Sequence, residues 1–183
     1  TVGLCNYIPN QDGYFEGQFD VLKLSIASLR ANSNRKFDLI VVDNNSCQEV
    51  KDWLINEYAE RRIDHLILNR NNMGKCNTMM MIQGAALGDY VFYADADYFY
   101  KPDWMLPHLD IMEAFPEAGV VSAGPNRINS QHVTEKTRAW ALENRDELNL
   151  EIGDFVPVEW TMNFLLGLGE TKLGRFATWE DWR

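Results

Sequence analysis

Apolar positions along the chain alternate between two periods. Val2-Gly-Leu-Cys-Asn-Tyr-Ile8 is an extended run stopped by Pro9, Asn10 and Gly13, and it predicts a first strand. Phe15, Phe19, Leu22, Ile26 and Leu29 then step by four, three, four and three, one face of a helix that ends near Asn32-Ser33-Asn34. Residues 37–42 predict a second strand, Asp43-Asn-Asn-Ser46 is polar punctuation, and Val50, Trp53, Leu54 and Tyr58 mark a second helix. Ile63 to Leu68 predicts a third strand before the loop Asn69-Arg-Asn-Asn-Met-Gly74. Residues 75–87 predict a third helix rich in Met and small residues, closed by Gly88. Asp89 to Ala94 is apolar on both parities, as a strand covered by helices on both faces should be. Pro102 predicts a helix start continued by Trp104 to Phe115, and Ala118 to Ala123 a fifth strand. This alternation predicts an α/β domain with a Rossmann-like, mostly parallel central sheet and helices on both faces.

The rhythm fails after Pro125. Residues 130–149 read as a mostly polar helical insertion with Trp140 its large aromatic, and Phe155 to Leu168 is apolar but ambiguous between strand and helix. At 183 residues the chain suits one domain. With 17 Lys plus Arg against 27 Asp plus Glu it carries a formal charge of -10, which disfavours a nucleic-acid polymer as partner. The cysteines Cys5, Cys47 and Cys76 are odd in number and scattered, which fits a reducing compartment better than a disulfide framework. No Cys-x-x-Cys or His-x-x-x-His announces a structural zinc site, and no apolar run reaches the ~18 residues of a membrane span. The start at Thr1 and the stop at Arg183 read as a domain cut from a longer chain.

In an open α/β sheet, ligands bind beyond the carboxyl ends of the strands. Asp43, the pair Asp95 and Asp97, and Gly74-Lys75 all fall there. Residues i and i+2 of a strand face one side, so both carboxylates of Asp95-Ala96-Asp97 are expected to meet one hard divalent cation, Mg²⁺ or Mn²⁺. A diphosphate strengthens that need, because each carboxylate–phosphate pair at ~4 Å repels by ~4 kcal/mol at an effective dielectric of ~20. The motif alone is weak, since 14 Asp in 183 residues produce about one Asp-x-Asp by chance. Its place at the end of an apolar strand is what raises it. Asp43 and Ser46 are each able to cap the following helix. Lys75 at a helix N-terminus opposes the macrodipole and hints at an anion nearby. Met79, Met80 and Met81 read as core packing. The late segment Thr178-Trp-Glu-Asp-Trp182 reads either as a capped helix start or as a general base between aromatic platforms for a sugar.

These residues carry a resemblance. Asp38-Leu-Ile-Val-Val-Asp43-Asn-Asn-Ser46, then Gly74-Lys75, then Ala85-Ala-Leu-Gly88-Asp-Tyr-Val-Phe-Tyr-Ala-Asp95-Ala-Asp97, then Lys101-Pro-Asp-Trp104, and finally Glu180-Asp181 resemble, in order and spacing, the motifs of family 2 glycosyltransferases with the GT-A fold. The likeness covers the chain except the insertion at 130–149. It implies an enzyme that moves a sugar, with inversion, from a nucleotide-diphospho-sugar to an acceptor hydroxyl, with Mn²⁺ or Mg²⁺ as cofactor. UDP is the favoured nucleotide and GDP the alternative. By matched position, Asp43 would contact the base, with Asn45 beside it. Ile8, Pro9 and Asn10 would line the nucleotide pocket. Gly74, Lys75 and Ala96 would lie near the nucleotide, Asp95 near the ribose and metal, and Asp97 on the metal. Asp181, with Glu180, would take the acceptor proton, and Trp179 and Trp160 are candidate acceptor contacts. Residues 1–125 would form the nucleotide-sugar half and 126–183 the acceptor half. The acceptor, whether saccharide, lipid or protein, is not legible. A cytoplasmic donor pool and unpaired cysteines imply a cytoplasmic location, with the inner membrane face as a possible station.

The chain departs from the family pattern at Met80, where an Asn is usual, and ends sooner after its Glu-Asp motif than the family domain does. His108 and His132 match no metal position and read as surface histidines. The alternatives are a non-catalytic sugar-nucleotide-binding module and a sugar-phosphate nucleotidyltransferase. The latter expects a Gly-rich, Arg-bearing loop where this chain has Pro9-Asn-Gln-Asp-Gly13. A dehydrogenase would carry G-x-G-x-x-G at the same turn, and it is absent.

Overall fold

The structure, a computed structural model, describes residues 1–122, 139–144, 146, 157 and 159. The chain divides into two compact units, Thr1–Val121 and Ser122–Arg183. In the second, residues 139–143 are helical, with Trp140 exposed and Ala141 buried.

The first unit is built from β1 (Val2–Asn6), α1 (Gln18–Ala31), β2 (Leu39–Asp43), α2 (Gln48–Ala59), β3 (His65–Leu68), α3 (Lys75–Ala85), β4 (Phe92–Asp95) and α4 (Leu106–Ala114), with a 3-10 turn at Gly13–Phe15. The strands form one parallel sheet in the order β3-β2-β1-β4. Alternate residues face alternate layers. Val2, Leu4, Leu39 and Val41 bury against Phe19, Leu22, Ile26 and Leu29 of α1 and Val50 and Leu54 of α2. Ile40 and Val42 face the other way, onto Ile82 and Met81 of α3. Gly3 faces α3 as well, and a Cβ there would lie 2.0 Å from Ile82 Cγ2, so the missing side chain is what lets the helix approach the sheet.

Several element boundaries differ from the sequence expectation for local reasons. The first helix begins at Gln18 because Gly17, at φ 74, turns the chain out of the preceding 3-10 turn. The fourth helix begins at Leu106, with Pro107 in its first turn, because Asp103 sits at φ 60 and no helix propagates through a left-handed residue. Pro102 lies in the turn before it. Strand β4 is shorter than expected, since residues 89–91 precede the register with β1.

The expected fifth strand is not formed over its described part, and Ala123 lies outside the described residues. Among the described residues, 118–122 form no strand, and Val120 is 84% exposed. An extended segment becomes a strand only with a ladder partner, and the Ala118 N–H instead closes a turn on the Phe115 carbonyl. Within the Met triplet, Met81 packs under the sheet while Met80 is exposed. His108 is half-buried rather than superficial, its ring edge-on to Phe92 and bonded to the Trp104 carbonyl. His132 lies outside the described residues.

Candidate active site

Strand order reverses at β1: β2 and β3 lie to one side of it and β4 to the other. Such a reversal opens a crevice beyond the carboxyl ends of the two strands that diverge. There the structure has a cleft of about 360 Å³ between β1, β4, α1 and α3. One end is charged, with Lys75, Asp95 and Asp97. The other is aromatic and apolar, with Tyr7, Tyr14, Phe15 and Ile8. Tyr7 and Tyr14 each meet Phe15 edge to face, at centroid separations of 5.8 and 5.2 Å.

The charged end is assembled from two elements. Asp95 ends β4 on the side facing α3, the parity of Tyr93, whose hydroxyl reaches the Met79 carbonyl. Lys75 is the first residue of α3, and its Nζ donates to Asp95 Oδ1 at 2.6 Å. That hydrogen bond, with the neighbouring Asp95 and Asp97 charges, holds the Lys75 ammonium above its ordinary pKa, so it stays charged. Asp95 is thus the anion beside the helix N-terminus. Asp97 is exposed and lies in a turn, two residues past the end of β4. The expected strand parity of the two carboxylates therefore does not apply, yet both line the cleft. The turn is fixed from below. The Asp95 carbonyl accepts from Tyr100 Oη at 3.2 Å and Ser25 Oγ at 3.4 Å. The Tyr100 N–H donates to Ser28 Oγ, and Asn32 Nδ2 to the Tyr100 carbonyl. Burial first, and the Asp95 charge second, push the Tyr100 phenol far above its ordinary value, so it remains a donor. Burial likewise raises the Cys5 thiol on the cleft floor.

Asp43 has a different place. It ends β2 in register with Asn6 but faces the α1 and α2 layer, and it is 0% exposed. Its Oδ1 accepts from Asn6 Nδ2 at 3.1 Å and its Oδ2 from the Ser46 N–H at 3.0 Å. The Ser46 hydroxyl in turn accepts from Asn6 Nδ2 and the Ile8 N–H. Neither Asp43 nor Ser46 caps α2, whose N-terminus at Cys47 takes no side-chain cap among the described residues. Their bonding capacity is directed to the exit of β1. Asp43 therefore holds the loop that carries Ile8 and does not itself line the cleft.

Of the remaining expected residues, Ile8 and Ala96 line the cleft, while Pro9, Asn10, Asn45 and Gly74 stand outside its wall. Asn10 Oδ1 accepts from the Asp12 N–H, and Asn45, at φ 74, accepts from Lys51. Gly74, at φ 77, is the N-cap of α3. Trp160, Trp179, Glu180 and Asp181 lie outside the described residues. Asn6, Asn44 and Asn72 carry no mark in the sequence pattern. Asn44 accepts from the Met73 N–H and donates to Asn72, which accepts from the Gly74 N–H, so this pair sets the entry of α3. Their signal is a cluster of short amides at strand and helix ends, which composition alone renders as loop. Tyr7 and Tyr14 were equally unmarked, because only the fold turns the first loop over the cleft.

Asp95 and Asp97 offer hard oxygen donors, and among the described residues no group of three or more His, Cys, Asp or Glu side chains is placed to hold a metal ion. That donor set fits a cation such as Mg²⁺ or Mn²⁺, which is commonly held by one or two carboxylates plus phosphate and water oxygens.

A profile described as Glycosyl transferase family 2 matches residues 14–166. The chain belongs to glycosyl transferase family 2. No curated protein matches this family 2 chain. Among solved structures, the crystal structure of S. aureus TarS 1-349 shares 14% identity over 69% of the chain, with a TM-score of 0.51, and that of S. aureus TarS shares 15% over 62%, with a TM-score of 0.48. The chain spans 38% of the former and 19% of the latter. The first of these likenesses agrees with the α/β, GT-A type architecture of this family 2 unit. No described helix is long and apolar enough to cross a membrane.

Proposed function

We propose that the chain is the catalytic domain of an inverting, divalent-metal-dependent glycosyltransferase that takes a sugar from a nucleotide-diphospho-sugar, UDP-linked by preference and GDP-linked as the alternative. The observation that carries this reading is the two-ended cleft at the β1–β4 reversal, with Lys75, Asp95 and Asp97 at one end and Tyr7, Tyr14 and Phe15 at the other. The charged end suits a diphosphate and the aromatic end a flat base.

In this reading Asp95 and Asp97 hold the cation, which when bound offsets the charge that develops on the leaving diphosphate. Lys75 reaches the same diphosphate from the N-terminus of α3. Asn6, Asp43 and Ser46 hold the loop against which the base lies. Asp181, with Glu180 beside it, accepts the proton of the acceptor hydroxyl as that oxygen bonds to the anomeric carbon and the carbon–phosphate-oxygen bond breaks. A positioned carboxylate of this kind contributes ~10²–10⁴-fold. Trp179 and Trp160 are assigned to the acceptor. The free Cys5, Cys47 and Cys76 favour a reducing, cytoplasmic setting.

The test is turnover of a panel of UDP- and GDP-linked sugars with Mn²⁺, in the wild type, Asp97→Ala and Asp181→Ala. The reading expects turnover in the wild type and loss in both variants, with nucleotide binding retained in Asp181→Ala. Binding without turnover in the wild type would replace it with a sugar-nucleotide-binding module. UDP affinity indifferent to EDTA would remove the metal from the scheme.

A further inference from the structure

Lys75 and Asp95 are presented to each other from two fixed mounts. On one side, the entry of α3 is tied down by four hydrogen bonds: Asn44 Oδ1 takes the Met73 N–H at 2.8 Å, Asn72 Oδ1 takes Asn44 Nδ2 at 2.7 Å and the Gly74 N–H at 2.9 Å, and Thr78 Oγ1 donates to the Gly74 carbonyl at 2.8 Å. On the other side, the Asp95 carbonyl accepts from both Tyr100 and Ser25. What remains free to move is the four-carbon stem of Lys75, whose side chain is 64% exposed. At rest its ammonium occupies Asp95 Oδ1, one of the oxygens a divalent cation needs, with Asp97 on the same wall.

We propose that Lys75 is a tethered counter-ion that makes divalent-cation binding at Asp95 depend on the presence of a diphosphate. The inference rests on the metal and donor assignment above. A cation entering the empty cleft meets a resident ammonium on the same carboxylate, so it must displace that group or accept its repulsion. A diphosphate changes the balance. It supplies acceptor oxygens, the ammonium swings to them, and both oxygens of Asp95 become available to the metal. Metal and nucleotide then bind with positive coupling, because each removes a cost borne by the other. Free Mn²⁺ without nucleotide is held weakly, which keeps the site from filling unproductively.

The experiment is titration of Mn²⁺ into the nucleotide-free protein, read as free Mn²⁺ by electron paramagnetic resonance, for the wild type, Lys75→Met, Lys75→Arg and Lys23→Met. Lys75→Met is expected to bind Mn²⁺ alone about threefold to fivefold tighter, the worth of a half-exposed ion pair. Lys75→Arg, which keeps the competing charge, should stay near the wild type. Lys23→Met removes one positive charge on α1, where Lys23 pairs with Asp20, and should also stay near it. Under saturating UDP the advantage of Lys75→Met should vanish or reverse. Mn²⁺ affinity in Lys75→Met equal to or below wild type overturns the proposal, and so does an equal gain in Lys23→Met, which would make the effect one of net charge. A wild type that binds no Mn²⁺ with or without UDP overturns the metal assignment first and this inference with it.

Discussion

The side-chain amide of Asn6 donates to the buried carboxylate of Asp43 at 3.1 Å, joining the carboxyl ends of two paired strands at the point where the cleft begins. Asp43 accepts from Asn6 on one oxygen and from the Ser46 N–H on the other, so it is an acceptor on both sides. Asp43→Asn would set an amide N–H against one of those donors. We expect a loss of about 1–3 kcal/mol in urea unfolding, from the donor left unsatisfied. Nucleotide affinity should fall with it, because the Ile8 loop loses its anchor. Full stability with lost nucleotide affinity would instead mean that Asp43 contacts the ligand directly.

Gly3→Ala places a methyl where Ile82 already is, 2.0 Å from Cγ2. Ile82 is β-branched and buried, so it has few rotamers to yield. We expect a destabilisation of about 1–3 kcal/mol by overpacking. Since α3 must retreat, Lys75 moves with it. Thermal melts and UDP affinity measured on the same variant should therefore both fall, and Ile82→Val in the Gly3→Ala background should restore part of each.

Tyr100→Phe removes a hydroxyl that donates to the Asp95 carbonyl beneath the Asp95–Asp97 turn. Ser28→Ala removes the acceptor for the Tyr100 N–H. Each is expected to cost about 1 kcal/mol of stability. Each should also weaken Mn²⁺–UDP binding several-fold, because the turn that carries Asp97 is less well held. A loss of stability with unchanged Mn²⁺–UDP affinity would assign these residues to the fold alone.

Asp64 lies between β2 and α1, accepting from the Leu39 N–H at 2.7 Å and from Arg30 Nη2. Burial on its own would raise this carboxyl, but the Leu39 hydrogen bond and the Arg30 guanidinium outweigh it and hold it below the usual carboxylate range. A depressed folded-state pKa gives stability that is present above the unfolded value, about 4, and lost as pH falls through the folded value. We expect the urea midpoint to drop below pH about 4, and the drop to be smaller in Asp64→Asn. The variant should lose about 1 kcal/mol at neutral pH, the pair being partly exposed.

The existence and kind of the first eight elements were legible because a period of two and a period near 3.6 leave separate marks in an apolar pattern. Their ends were less legible. Gly17 announces a positive φ by its identity, but Asp103 does not, and the helix start it delays was misplaced by that residue. The expected strand at 118–123 is absent over the described residues 118–122 for another reason: its apolar run is strand-like, but a strand is a pairing, and these residues have no ladder.

By itself the sequence determined the order and kind of the elements from β1 to α4 and that Asp43 and Asp95 stand at strand ends, since those follow from periodicity and from where apolar runs stop. Only the tertiary structure decided what those groups do. The register β3-β2-β1-β4 puts Asp43 and Asp95 on either side of β1, two strand spacings or ~10 Å apart. Side-chain parity then turns Asp43 inward to Asn6 and Ser46 and Asp95 toward Lys75. The physical reason is that a carboxylate's role depends on which layer it faces and which donors arrive from elsewhere in the chain, and neither is encoded within a few residues of it.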